Sequence, residues 1–209
     1  MITFLKKLFK WIKIIIYNFN ESTPIYAKRT EPGLRLHLGS GEINLQGWVN
    51  IDARSFTHTH LQTDKIDLDE FLDESLTELY MCHVLEHLSF QENEDLINTF
   101  FNKLKQGGIL RISVPDFDAI VKIYLNNGND LLQVQQALMG GQDYEYNFHK
   151  AVFNQKTLSH LLEKCGFSNI EEWNTQNDFG KSIGDWSDGV YKTDIGKLPI
   201  SLNLKALKK

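Results

Sequence analysis

Apolar positions along this chain come in short runs and one-sided stripes that alternate from one end to the other. Leu34, Leu36 and Leu38 alternate with Arg35 and His37 and run into Gly39-Ser40-Gly41, which predicts a strand and a glycine turn. Trp48-Val49-Asn50-Ile51 predicts a second strand ending in Asp52, His60 to Asp64 a third and Leu79 to Cys82 a fourth. From Glu92 to Leu104 the apolar residues Leu96, Ile97, Phe100, Phe101 and Leu104 repeat at helical spacing. Lys105-Gln106-Gly107-Gly108 predicts a glycine cap on that helix, and Ile109 to Val114 a fifth strand stopped by Pro115. Helical patterns follow over about 117–126 and 129–139, ending at Gly140-Gly141. Asn154 predicts the cap of a helix running through Cys165 and closed by Gly166, before final strands at Ile170 to Trp173 and Ser201 to Leu207. Strands alternating with helices predict an α/β fold with a doubly wound, mostly parallel sheet covered on both faces.

Charge divides the chain. Residues 1–20 hold Lys6, Lys7, Lys10 and Lys13 and no acid, a net +4. The whole chain is 22 − 27 = −5, so residues 21–209 carry 18 − 27 = −9. That acidic body excludes duplex nucleic acid as a partner, because such binding rests on neutralising phosphates. Met1 to Asn20 reads as a basic amphipathic helix, with Lys6, Lys10 and Lys13 on one stripe and no charge-free run long enough to span a bilayer. No small-residue cleavage site marks a secretory signal. Such a helix suits an anionic membrane surface, placing the protein in the cytoplasm and peripherally on the inner face of the membrane. Packing against the body or another subunit is the competing reading. Residues 21–33, with Pro24 and Glu31-Pro32-Gly33, read as a linker, and 34–209 as one folded domain with a helical insertion at about 116–148. With 209 residues, 42% of them hydrophobic, the chain can bury a sizeable core. Cys82 and Cys165 form no CxxC pair and read as reduced thiols.

The glycine turn carries the first candidate chemistry. Gly39 and Gly41 let the backbone approach a ligand where a Cβ would collide, and Asp52 can accept hydrogen bonds from both hydroxyls of a ribose. Together they suit an adenosine-containing ligand at the carboxyl edge of a parallel sheet. A dinucleotide fingerprint is excluded. Position 44 is Asn where a third glycine is needed, and the acid follows Gly41 too soon for the usual ~20-residue gap.

Five segments in order, LHLGSGE, GWVNID, LYMCHVLEHL, LKQGGILRISVPD and HKAVFNQKTLSHLLEKCGF, resemble class I S-adenosylmethionine-dependent methyltransferases. More narrowly they resemble short bacterial methyltransferases associated with surface-polysaccharide biosynthesis. The resemblance covers about residues 33–207. It implies a Rossmann-like methyltransferase fold, seven-stranded, with the last strand antiparallel at Ser201 to Leu207. It places Gly39, Ser40 and Gly41 beneath the methionine moiety, Asp52 at the ribose, Asp64 at the adenine amino group, and Cys82 and His83 beside the sulfonium methyl. It implies S-adenosylmethionine as cofactor and O-methylation of a sugar or lipid-linked glycan acceptor. The stretch from Gly41 to Asp52 is too short for a full helix, which leaves the cofactor side open.

His83, Glu86, His87, Asp116 and His149 are the candidates beyond the strand ends for moving the acceptor's proton. If 83–87 forms a helical turn, His83 and His87 share a face with Glu86 beside it. Joined by His149 they suit a divalent transition metal with open positions. Similar ExxEH segments with a later histidine bind metal in methyltransferases of small-RNA termini and ubiquinone precursors, although His83 replaces the first Glu here. That alternative implies metal-assisted methylation of an RNA terminus or a quinone-like molecule. In the metal-free reading Glu86 and His87 brace the strand–helix junction and His83 alone faces substrate. His149 is read as general base or acceptor-hydroxyl ligand, against an exposed loop residue. Asp116 is read as a substrate contact or as the cap of the next helix. His37 reads as a satisfied core residue. Tyr124, Tyr144 and Tyr146 stack on a sugar or pack a helical lid. Lys181 to Lys197, with Trp186, is read as an acceptor-side loop or a cover for the sheet edge. A non-catalytic scaffold with a cofactor-like fold is the third class.

Overall fold

The computed structural model describes residues 33–64, 68–193 and 196–209. The expected amphipathic helix at 1–20 and the linker up to residue 32 lie outside the described residues. Among the described residues, nine strands run in chain order as β1 Leu34–Leu38, β2 Val49–Asp52, β3 Leu61–Gln62, β4 Leu76–Cys82, β5 Leu104–Pro115, β6 Phe167–Glu172, β7 Val190–Thr193, β8 Gly196–Pro199 and β9 Ser201–Lys208. The helices are α1 Phe90–Lys103, α2 Phe117–Asn126, α3 Gln135–Met139, α4 Gln155–Lys164 and α5 Thr175–Phe179. Seven strands form one sheet in the order β3-β2-β1-β4-β5-β9-β6, and β7 and β8 form a separate hairpin. β1 pairs in parallel with both β2 and β4, so strand order reverses there and opens a crevice at their carboxyl ends. As expected, β9 is antiparallel to its neighbours β5 and β6.

Each strand feeds both faces because its side chains alternate. In β4, Leu79 and Met81 join the main core with α1 residues Leu96, Ile97 and Phe100 and α4 residues Leu158 and Leu162. Tyr80 points the other way and meets Leu45, Trp48 and Trp173. The short link between β1 and β2 supplies Leu45 and Trp48 to that face in place of a helix. Trp48 stands edge-on to Tyr80 at 6.3 Å and Trp173 at 5.5 Å, so bulky rings fill the space a helix would take. A third cluster ties the insertion to the hairpin: Ile120 and Ile123 of α2 pack with Val134 and Ile200, and Tyr191 and Leu198 lean on them.

Several boundaries differ from expectation. α1 starts at Phe90 because Ser89 and Glu92 form a reciprocal capping box. It passes straight into β5 at Leu104, which is already extended. Gly107 and Gly108 therefore lie inside the strand, Gly107 at φ +72°, and do not cap the helix. The third strand is only Leu61–Gln62, which leaves Asp64 beyond its end. The stretch 129–139 breaks into a 3-10 turn, Leu131–Gln133, and α3, because Asp130 caps a new start at the Leu132 amide. Lys181 to Lys197 holds a 3-10 turn at Trp186–Asp188 and strand β7 in place of an open loop.

Candidate active site

The crevice above β1 and β4 opens into a cavity of about 490 Å³. That size lies within the range of small-molecule and cofactor pockets. Gly39, Ser40 and Gly41 form one wall, with Glu42 and Ile43 continuing it. Gly39 sits at φ +66°, and a Cβ there would meet Val84 Cγ2 at 2.2 Å, so only glycine fits this turn. The Ser40 hydroxyl is buried and has no hydrogen-bond partner.

Asp52 holds the turn from behind. Its Oδ2 accepts from the Gly41 amide at 2.7 Å and its Oδ1 from the Arg54 amide at 2.7 Å. The carboxylate is buried and is not among the residues lining the cavity, so bracing the glycine turn is the role its contacts give it. Asp64 and Asp116 do not line the cavity either. Asp116 accepts from the Asp118 amide at 3.0 Å and caps α2, the second of its two expected roles. Its partial burial raises the carboxyl above the usual range.

Cys82 and His83, at the end of β4, both line the cavity. Burial pushes the Cys82 thiol well up, so it stays protonated. The geometry of residues 83–87 departs from the expected shared helical face. His83 takes φ +53°, and only Leu85–His87 form a 3-10 turn. His83 therefore swings aside, with Nε2 2.8 Å from Ser201 Oγ. Ser201 Oγ in turn donates to the Trp186 carbonyl at 2.7 Å, so it accepts the hydrogen bond from His83 Nε2. Glu86, His87 and His149 come together instead, with ligand atoms all within 4.8 Å of one another.

Glu86 is the centre of that group. It is 1% exposed, and neither carboxylate oxygen has a hydrogen-bond partner. Its Oε1 lies 3.3 Å from His83 Nδ1, 4.0 Å from His87 Nε2 and 3.9 Å from His149 Nε2. Burial raises the Glu86 carboxyl to about 8 and lowers the His87 imidazole to about 4, with His149 beside it adding to the drop. His83 falls to about 3, through burial and then the neighbouring His149 and His87. His149 is lowered by burial as well. It is no exposed loop residue: its Nδ1 donates to the Ala137 carbonyl at 3.1 Å and its amide to Met139 O at 3.1 Å.

Of the three tyrosines, only Tyr144 lines the cavity, while Tyr124 packs against the cluster around Ile120 and Ile123. Arg54 lies over the Tyr144 ring at 4.7 Å and over Phe56 at 4.9 Å, which ties the segment after α3 to the loop after β2. Asp185, Trp186 and Tyr191 add a wall from the segment after α5. Reasoning from sequence missed Arg54, Asp185 and Asn50. Asn50, fully buried, bonds His37 Nδ1 at 3.1 Å and the Leu45 amide at 3.3 Å, and its own amide reaches His60 Nδ1 at 2.9 Å. A polar residue inside the apolar run Trp48 to Ile51 was the available signal. The expectation that His37 is a satisfied core residue agrees with this contact.

Neither a protein-family model nor a curated protein matches the chain. Solved structures do. A SAM-dependent methyltransferase from Archaeoglobus fulgidus is 16% identical with a TM-score of 0.52, over 95% of this chain and 94% of that one. A Thermotoga maritima protein described as a possible histamine N-methyltransferase is 12% identical with a TM-score of 0.55, over 99% and 97%. A SAM-dependent methyltransferase from Methanosarcina mazei is 16% identical with a TM-score of 0.51, over 88% and 97%. At such identities the likeness is one of architecture: this chain has the seven-stranded, Rossmann-like fold of the SAM-dependent methyltransferases.

Proposed function

We propose that this protein is an S-adenosylmethionine-dependent O-methyltransferase whose acceptor is a sugar or a lipid-linked glycan in cell-surface polysaccharide assembly. The observation that carries the transferase reading is the cavity at the reversal of strand order, with a glycine turn on one side and Glu86, His87 and His149 on the other. The residues fit the cofactor. Gly39 to Gly41 offer close backbone, Ser40 offers a buried hydroxyl with no partner, and Asp52 fixes the turn. Gly39, Ser40 and Gly41 would hold the methionine end. Asp52, which lies behind the turn and outside the cavity lining, would act by holding that turn in shape.

When bound, S-adenosylmethionine supplies a methyl carbon that joins the acceptor oxygen as its bond to sulfur breaks, the electron pair leaving with sulfur. The chain's part is to position the hydroxyl in line and to receive its proton. The imidazole of His83, lowered by burial and neutral near pH 7, can accept it. The exposed Trp186 at the cavity rim offers a flat apolar face to a sugar ring. Residues 1–20 join this reading as an anchor on an anionic membrane surface, where a lipid-linked acceptor would reside.

Titration calorimetry tests the cofactor half. The wild type binds S-adenosylmethionine, and Asp52→Ala, which removes the acceptor of the Gly41 and Arg54 amides, weakens binding by about 10- to 100-fold. Equal affinity in the two proteins refutes it. Mass spectrometry of glycans and lipids from cells lacking the protein tests the acceptor half. A lost methyl group on a sugar is the expected result, and an unchanged glycan profile counts against it.

A further inference from the structure

We infer that Glu86, His87 and His149 form a binding site for a first-row divalent transition ion, which holds the acceptor's hydroxyl oxygen at the cavity wall. The hydroxyl role rests on the proposed methyl transfer; the cation site itself does not.

The argument is one of missing donors. A backbone carbonyl only accepts, so the Nδ1 of His149 and of His87 must carry the protons given to Ala137 O at 3.1 Å and Phe148 O at 3.3 Å. That leaves each Nε2 a bare lone pair, 3.9 and 4.0 Å from Glu86 Oε1. His83 spends its Nε2 proton on Ser201 Oγ, so its Nδ1 is bare too, 3.3 Å from the same oxygen. Acceptors thus converge on a carboxylate that is 1% exposed and makes no hydrogen bond. One proton on Glu86 would satisfy a single neighbour. A cation satisfies Glu86 and both Nε2 atoms together.

Orientation of a ligating imidazole by a carbonyl at its far nitrogen is how protein metal sites are usually built. Here both rings have that support. The backbone around them is fixed as well: the amides of Lys150 and Ala151 donate to Glu86 O at 2.7 and 3.1 Å, which locks the His149 loop onto the Glu86 turn. Gly140 allows the close passage, since a Cβ there would stand 2.4 Å from Asn147 O and 3.1 Å from the His149 ring. Ligand bonds of about 2.0–2.2 Å put neighbouring donor atoms about 3.0–3.5 Å apart. The observed separations, 3.9 and 4.0 Å to Glu86 and at most 4.8 Å across the group, close to that as the side chains rotate. Two imidazoles and one carboxylate favour Zn²⁺, Fe²⁺, Co²⁺ or Mn²⁺ over Ca²⁺ or Mg²⁺, which take mostly oxygen. All three residues line the cavity, so the remaining coordination positions open toward the acceptor.

The test uses the full chain, purified without chelator and titrated with Co²⁺ while visible absorption is recorded. S-adenosylmethionine affinity is measured by calorimetry on the same samples. One Co²⁺ per chain is expected, with binding weakened more than about 100-fold in Glu86→Gln and in His149→Ala. His160→Ala, on the exposed side of α4, binds as the wild type does. Because Glu86→Gln keeps the side-chain shape, thermal melting guards against misfolding: Co²⁺ raises the wild-type midpoint and leaves that of Glu86→Gln unmoved. A wild type that binds no Co²⁺, or a Glu86→Gln protein that binds it equally, overturns the site. Loss of cofactor binding with Co²⁺ binding intact overturns the transferase reading and leaves the site standing.

Discussion

His37 lies in the middle of β1, 1% exposed, with its ring stacked on Tyr80 at 5.1 Å and its Nδ1 bound to Asn50. Burial lowers its imidazole to about 4, against 6.5 for the free side chain. The unfolded chain therefore takes up a proton that the fold refuses between those values, so stability falls as pH drops from 6.5 toward 4. At about 1.4 kcal/mol per unit the loss from this residue comes to about 3 kcal/mol. Denaturant unfolding across that window should show a shallower fall for His37→Gln than for the wild type; parallel curves would disprove the assignment. The residue types at the site were legible in the sequence, since Gly39, Gly41, His83, Glu86, His87 and His149 all reach the cavity. Their partners were not. Which histidine nitrogen is bare depends on carbonyls of Ala137 and Phe148, and no spacing rule brings those to residues 87 and 149.

Among the elements, those with strong local signals match best. α1 and α4 each begin at a capping box, at Ser89 and Asn154, whose side-chain oxygens meet amides left over at a helix start. The expected Asn154 cap is the one observed. Where two local signals compete, the structure decides. Gly107-Gly108 reads as a helix end by composition, yet the strand runs across it from Leu104 to Pro115, and the β4 register jumps from Leu104 to Ile109 so that the glycines sit in an irregular, unpaired stretch. Asp116 shows the same contest at one position, and its oxygen goes to the Asp118 amide of α2. Asp116→Ala should cost about 0.5–2 kcal/mol in thermal or chemical unfolding, as losing an N-cap does, whereas Asp116→Asn should cost far less. If the two variants unfold alike, the cap is not what the residue contributes.

At the scale of the molecule, β5 and β9 lie side by side with Arg111 opposite Lys205, and both cations reach Asp178 of α5, at 3.2 and 3.0 Å. Arg111 also meets Glu78 at 3.3 Å, so the network links β4, β5, β9 and α5. Removing the shared carboxylate leaves a 7%-exposed guanidinium beside a second cation. Glu78 still pairs with Arg111, so Asp178→Ala should lower unfolding free energy by about 1–3 kcal/mol, read from its denaturation midpoint. A midpoint within error of the wild type contradicts the network's role. Alternating strand and helix patterns by themselves determined the α/β class, the parallel order and the glycine-turn crevice, because those follow from local periodicity and backbone freedom. Only tertiary structure decided that aromatic rings replace a helix beside β1, that Asp52 turns onto the turn it supports, and that Glu86 meets His149. Those outcomes depend on which side chains and carbonyls the sheet brings together from distant segments, and burial there sets their charge.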